Sequence, residues 1–379
     1  MMDSGRRLLL RGRTLRASIG RIISTAGFQP REAEMIRTII AVGLGVLLLQ
    51  GGVQAQDHTI IALSHSDFTA YELDPATGRI INQFKADNQP HESAVTLDGK
   101  MIFAAIPQGP HVVILDGETL KQIGKIESEY FTRPPLEMPQ IPGQPPRPPS
   151  TSASPHGVAL NRAASKLYIG VETSDVPGIV VYDVRAGRVS KKIDLLLEGG
   201  HFLAIDQQTD KLYYPHRADN RVVVLDTRTD QILKIIHVEG GPVGVAFSPA
   251  SEAWVHSDYD GSVTVIDTRN DEVIDLIQTG GEGAGRIAVS PDGRFAASTH
   301  GGTEDVAIID TQTRTVVASV ATGPGPGFPL FSPGSDKLYV MNSRAGDVAV
   351  VDMKSMEVEA RYAVGVNPFG GSIRSVGGR

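Results

Sequence analysis

A β-branched run that closes on aspartate, followed by a turn and another extended run, recurs seven times along the chain. The segments are Tyr-Glu-Leu-Asp74, Val-Ile-Leu-Asp116, Val-Val-Tyr-Asp183, Val-Val-Leu-Asp226, Thr-Val-Ile-Asp267, Ala-Ile-Ile-Asp310 and Ala-Val-Val-Asp352. Their spacings are 42, 67, 43, 41, 43 and 42 residues. Each unit reads as four short strands. In the fifth, Val243–Ser248 alternates, Glu252–His256 returns, Ser262–Ile266 follows, and Glu272–Gln278 comes after the turn at Asp267. Four strands per period of this length, seven times over, predict an all-β chain folded as a single seven-bladed β-propeller of four-stranded blades. The ring is expected to close by pairing of its ends. Thr59–Leu63 reads as a second strand, and Asn367–Ile373 repeats the start of a first strand. One shared blade would leave no open edge to invite aggregation.

The long spacing reflects an insertion at about 129–154. Half of the sixteen residues of Pro134–Pro149 are proline, so this stretch can continue neither a ladder nor a helix. Upstream of the repeats, residues 1–34 carry seven arginines, and Met35 opens a second segment with the apolar run Ile39–Leu49. That run is too short to span a bilayer. With Val53 and Ala55 at a small-residue cleavage site, residues 35–55 read as a signal peptide. A start at Met35 would make 1–34 an upstream extension. The propeller would then be residues 56–379, periplasmic or secreted, with no transmembrane anchor after cleavage. The first 55 residues hold eight arginines and three acids, so the remainder is more acidic than the whole chain's −7. An acidic surface predicts no nucleic-acid partner. Without cysteine the chain has no thiolate metal site, no cysteine nucleophile and no covalent haem.

The units Gly-Pro-Val-Gly-Val-Ala-Phe-Ser-Pro249 and Lys-Leu-Tyr-Val-Met-Asn-Ser-Arg-Ala-Gly-Asp-Val-Ala-Val-Val-Asp352 resemble the YVTN-type repeat. That repeat is similar to those of YncE-like propellers and the quinoprotein amine dehydrogenase β-chain superfamily. The resemblance implies a blade architecture, and those families include binding, surface-layer and electron-transfer proteins. The WD40 pattern does not fit, since Val255 follows the only tryptophan, Trp254.

Function has to be sought where the repeats differ. With the blades laid over one another, His91, His156 and His201 fall at one position in three consecutive units. Val243, Gly285, Gly327 and Phe369 fill that position in the other four. His65, His216, His256 and His300 lie nine to eleven residues before their marker aspartates, at the loop between second and third strands. Seven of ten histidines are thus expected on one rim of the channel. Neutral imidazoles converging there would suit a divalent transition metal, with His91, His156 and His201 as ligands. Glu92, Glu172, Asp219 and Asp258 are the nearby carboxylates. Arg217, Arg286 and Arg344 lie on the same rim and could hold an anionic group. There is no G-x-S-x-G elbow, no H-E-x-x-H and no phosphate-binding glycine loop.

These features lead to the expectation of a non-catalytic scaffold that binds a small ligand, a metal or a protein partner through its His-rich face. Two alternatives remain. One is a metal-dependent hydrolase or lactonase-type propeller enzyme. The other is the propeller subunit of a quinoprotein-type oxidoreductase.

Overall fold

Six of the seven marker aspartates end a strand and Asp74 directly follows one, and all accept hydrogen bonds from the backbone of the turn that follows. Asp116 takes the amide of Thr119 at 2.9 Å, Asp183 that of Ala186 at 2.8 Å, and Asp267 that of Arg269 at 2.9 Å. The same bond recurs at Asp74, Asp226, Asp310 and Asp352. Four residues beyond each aspartate the chain enters the left-handed region, at Gly78, Leu120, Gly187, Asp230, Asp271, Arg314 and Met356. The ladder shifts register at the same place in every blade, so each outer hairpin carries a bulge. Only two of the seven left-handed positions are glycine. The aspartate therefore sets the turn, and the following residue accepts the strain.

The computed structural model describes residues 57–131, 154–172 and 178–376, apart from 196, 198 and 284. Within them twenty-eight strands form seven four-stranded antiparallel sheets, six of them meanders of neighbours in sequence. We number the blades along the chain. Blade 1 joins Pro368–Ser375, from the C-terminal end, to His58–Ser64, Thr69–Leu73 and Ile80–Lys85. Ile60 pairs with Ile373 and Ala62 with Gly371, so the two ends of the described chain close the ring as the sequence predicts. Blades 2 to 7 begin on Ser93–Val95, Ser154–Leu160, Ala204–Asp206, Pro242–Ser248, Ile287–Val289 and Pro326–Phe331. These six strands and Pro368–Ser375 form the inner wall. The Pro-rich insertion falls between Gln122–Ile126 of blade 2 and Ser154–Leu160 of blade 3. Its residues 132–153, the signal-like segment 35–55 and residues 1–34 lie outside the described chain. Among the described residues no helix is long and apolar enough to cross a membrane.

The core is divided into seven apolar clusters, and each joins two adjacent blades. Trp254, Val263 and Val265 of blade 5 pack on Ile287, Ala296 and Ile309 of blade 6. The pair that closes the ring sets Ile60, Ala62 and Leu73 against Tyr339, Met341 and Val348. The other five interfaces are built alike. A buried aliphatic side chain contributes about 1.5–3 kcal/mol, so these interfaces far outweigh any one polar contact. A charged pair repeats beside them. Lys166 and Tyr168 of blade 3 hold Asp230 of blade 4, at 2.8 and 2.5 Å. Lys211 and Tyr213 hold Asp271 in the same way. At the next interface the charges are reversed, with Glu252 accepting from Arg314 at 2.8 Å.

Candidate functional site at the channel mouth

Each inner strand starts at the same end of the ring, so its first residues surround the channel mouth. Blade 2 brings His91 and Glu92 there, blade 3 His156, blade 4 His201 and blade 1 Phe369. Close approach of neighbouring inner strands requires glycine beside them. A Cβ on Gly370 would lie 1.8 Å from the carbonyl oxygen of His91. A Cβ on Gly157 would lie 2.8 Å from that of His201.

Four histidines meet in an arc. Ring centroids are 4.5 Å apart for His65 and His91, 4.1 Å for His91 and His156, and 4.2 Å for His156 and His201. Phe369 packs against His65 at 4.9 Å and His91 at 5.2 Å. Phe202 of blade 4 and Phe328 of blade 7, next in sequence to His201 and Gly327, meet edge to face with ring centroids 5.6 Å apart.

Glu92 sits inside the arc with 1% of its surface exposed. Its Oε1 lies 3.4 Å from His156 Nδ1 and 3.8 Å from His91 Nδ1. Neither Glu92 oxygen, nor either of those nitrogens, makes a hydrogen bond, so these are polar approaches without hydrogen-bond alignment. Nε2 of His156 faces the other way, 3.6 Å from Glu172 Oε2. Arg286 reaches across from blade 6 and is 3% exposed. Its Nη1 donates to the Gly285 carbonyl at 2.8 Å, and its Nη2 donates to His201 Nδ1 at 3.1 Å. The same Nη2 is 3.8 Å from Glu92 Oε1, and the guanidinium lies 5.6 Å from the Phe369 ring. Because His201 Nδ1 accepts a hydrogen bond, the neutral ring carries its proton on Nε2.

Burial disfavours the charged form of His65, His91 and His201. It lowers His65 to about 4 and His91 to about 3, aided by the neighbouring His156 and resisted by Glu92. His201 is pushed well below the ordinary histidine range, chiefly by burial and then by His156 and Arg286. Burial would raise Glu92, but the approach of His156 and His91 outweighs it and holds the carboxyl at about 2. Burial likewise lowers Arg286, against the pull of Glu92 and Asp258.

Of the ten rim residues named from the sequence, five meet here: His65, His91, His156, His201 and Arg286. His216, His256 and His300 are fully buried and present no surface at the rim. They stand at or next to the ends of second strands as the repeat implies, but His216 packs on Tyr214, and His256 and His300 lie between blades 5 and 6. There His256 Nδ1 meets Ser298 Oγ at 2.9 Å, and His300 Nε2 meets Thr279 Oγ1 at 2.9 Å. Arg217 pairs with Asp258 at 3.0 Å, and Arg344 pairs with Glu304 at 2.7 Å. Sequence alignment placed Glu92 and Glu172 nearby without giving them a role. Their contacts with His156 bring both into two groups whose donor atoms lie within 4.8 Å of one another: His91, Glu92 and His156, and His156, Glu172 and His201.

No family model and no curated protein matches this chain. Solved structures of the same fold do. A protein of unknown function from Desulfotomaculum acetoxidans superposes with a TM-score of 0.68 at 14% identity, covering 84% of this chain and 99% of its own. Hydrazine synthase of Kuenenia stuttgartiensis gives 0.61 at 18% identity, over 76% of this chain and 96% of that one. The dihydro-heme d1 dehydrogenase NirN gives 0.58 at 15% identity, over 82% of this chain and 64% of that one. At such identities the likeness extends to the fold alone, and on strand order and superposition this chain is a seven-bladed β-propeller.

Proposed function

We propose that this is an exported YVTN-type repeat propeller that binds one divalent transition-metal ion at its channel mouth, through His91 Nδ1, His156 Nδ1 and Glu92. One observation carries the reading: these atoms converge while buried and have no hydrogen-bond partner. A buried carboxylate left so is costly, and a cation is the usual compensation. Donors around a tetrahedral ion at about 2.1 Å stand roughly 3.4 Å apart. The Glu92–His156 separation of 3.4 Å already matches this, and Glu92–His91 at 3.8 Å needs a small side-chain adjustment. Glu172 supports the same assignment. By facing His156 Nε2 it favours the tautomer that leaves Nδ1 free for metal. His201, the third ligand expected from the sequence, accepts from Arg286, and Glu92 takes its place.

Imidazole with carboxylate suits zinc, copper or nickel better than calcium or magnesium. Metal analysis of tag-free protein tests this, with about one ion per chain expected. A protein that carries none, and takes up none on dialysis, contradicts it. Export has its own check: the intact mass of secreted or periplasmic material should begin at Gln56. A second reading, metal-activated water for hydrolysis, is favoured by one feature. Three protein donors leave a coordination position open, as in catalytic zinc sites.

A further inference from the structure

The metal reading draws Glu92 to the ion, and the other carboxylate that acts on Arg286, Asp258, is already paired with Arg217. A divalent ion would add two positive charges beside that of Arg286. Glu92 brings one negative charge, and the partly exposed Glu172 brings another. The mouth would then hold one positive charge in excess, in a setting where an uncompensated charge is expensive.

Arg286 is also incompletely used. Its two terminal nitrogens are committed to Gly285 and His201, but its Nε is buried and makes no hydrogen bond. Nε and one terminal nitrogen form the edge with which guanidinium grips a carboxylate or phosphate. The Phe369 ring flanks this group, and Nε2 of His65 is a further buried atom with no partner. Three protein donors leave a coordination position open on a tetrahedral ion.

Resting on the metal assignment, we infer that the mouth takes a small oxyanion, of the carboxylate or bicarbonate class, bound between the metal and Arg286. The ligand must be small, because the groups that would hold it are themselves buried, with Glu92 1% and Arg286 3% exposed. It must be singly charged, because Glu92 and Glu172 repel any larger negative charge. Its oxygen would complete the metal's coordination, and its other oxygen would accept from Arg286 Nε.

Cobalt(II) reports both steps separately, since its visible absorption responds to coordination. Tag-free protein is loaded with cobalt(II) and titrated with formate and then with bicarbonate. The absorption should change saturably with each. Arg286→Lys should weaken the anion by about tenfold, because a point charge replaces the fork. Arg286→Gln should abolish the response. The lysine variant keeps the buried charge and serves if the glutamine variant does not fold. Cobalt that binds but ignores both anions overturns the inference and leaves the metal assignment standing. An anion response equal in wild type and Arg286→Lys also overturns it. Failure to bind cobalt at all overturns the metal assignment and the inference with it.

Discussion

At the outer hairpins all seven blades carry aspartate, and all seven use it in the same way. At the starts of the inner strands, on the opposite face, the blades carry His91, His156, His201, Val243, Gly285, Gly327 and Phe369. The fold demands the first pattern, because each turn needs an acceptor for its amides. It makes no comparable demand at the mouth, where valine and glycine serve as well as histidine. The departure from the repeat is also concentrated: the mouth histidines come from blades 1 to 4, and the charge that answers them, Arg286, comes from blade 6. Repetition therefore marks what holds the ring together, and its interruption marks where the proposed site lies.

The largest effect should come from breaking the mouth's internal charge balance. Arg286→Met leaves Glu92 buried without its cation, and stability in metal-free protein should fall by about 3–5 kcal/mol. Adding Glu92→Gln should recover most of that loss. Denaturant titration measures both, and an Arg286→Met protein as stable as wild type would mean that the two groups are uncoupled.

Acid should come next. The folded chain keeps His65 and His91 neutral to about 4 and about 3, while the unfolded chain takes up protons near 6.5. Well above pH 6.5 both states are neutral there and nothing is lost. As pH falls from 6.5 towards 4 the unfolded state binds more protons, so stability drops. Glu92 adds its own loss only lower, between its ordinary range near 4.5 and about 2. A melting temperature of metal-free protein that stays level from pH 6.5 to 4 would contradict the burial of these rings. Replacing His65 and His91 together by Asn should reduce the drop without abolishing it, because burial also lowers His201, His256 and His300.

On the turn face the effects should be smaller and separate from the mouth. Asp352→Ala removes an acceptor used by the amides of Lys354 and Ser355. It should cost about 1 kcal/mol, with metal uptake unchanged. Smaller still, and of opposite sign, is Ala164→Gly. Ala164 has φ 48°, and relieving that conformation should stabilise the protein by roughly 0.5 kcal/mol. Equilibrium unfolding resolves the sign.

The seven aspartates, the blade count and the closing pair of strands were legible in the sequence because each is a local pattern repeated at fixed spacing. The alignment of His91, His156 and His201 was legible for the same reason. The contact of Arg286 with His201 and Glu92 was not. It spans the channel between blades that the repeat places far apart, and only the closed ring brings them together. Spacing also placed His216, His256 and His300 at the right end of their strands, but not their surroundings. Ser298 and Thr279 draw the last two between blades, where spacing from a marker aspartate carries no information.

The central claim is that the mouth departs from the repeat in order to hold a metal. Titration calorimetry with zinc tests it most directly, on tag-free wild type and on His91→Asn combined with His156→Asn. One ion per wild-type chain is expected, with no uptake by the double variant, whose circular dichroism shows that it is folded. Uptake that survives the double substitution, or a wild type that binds no metal at neutral pH, would contradict the account.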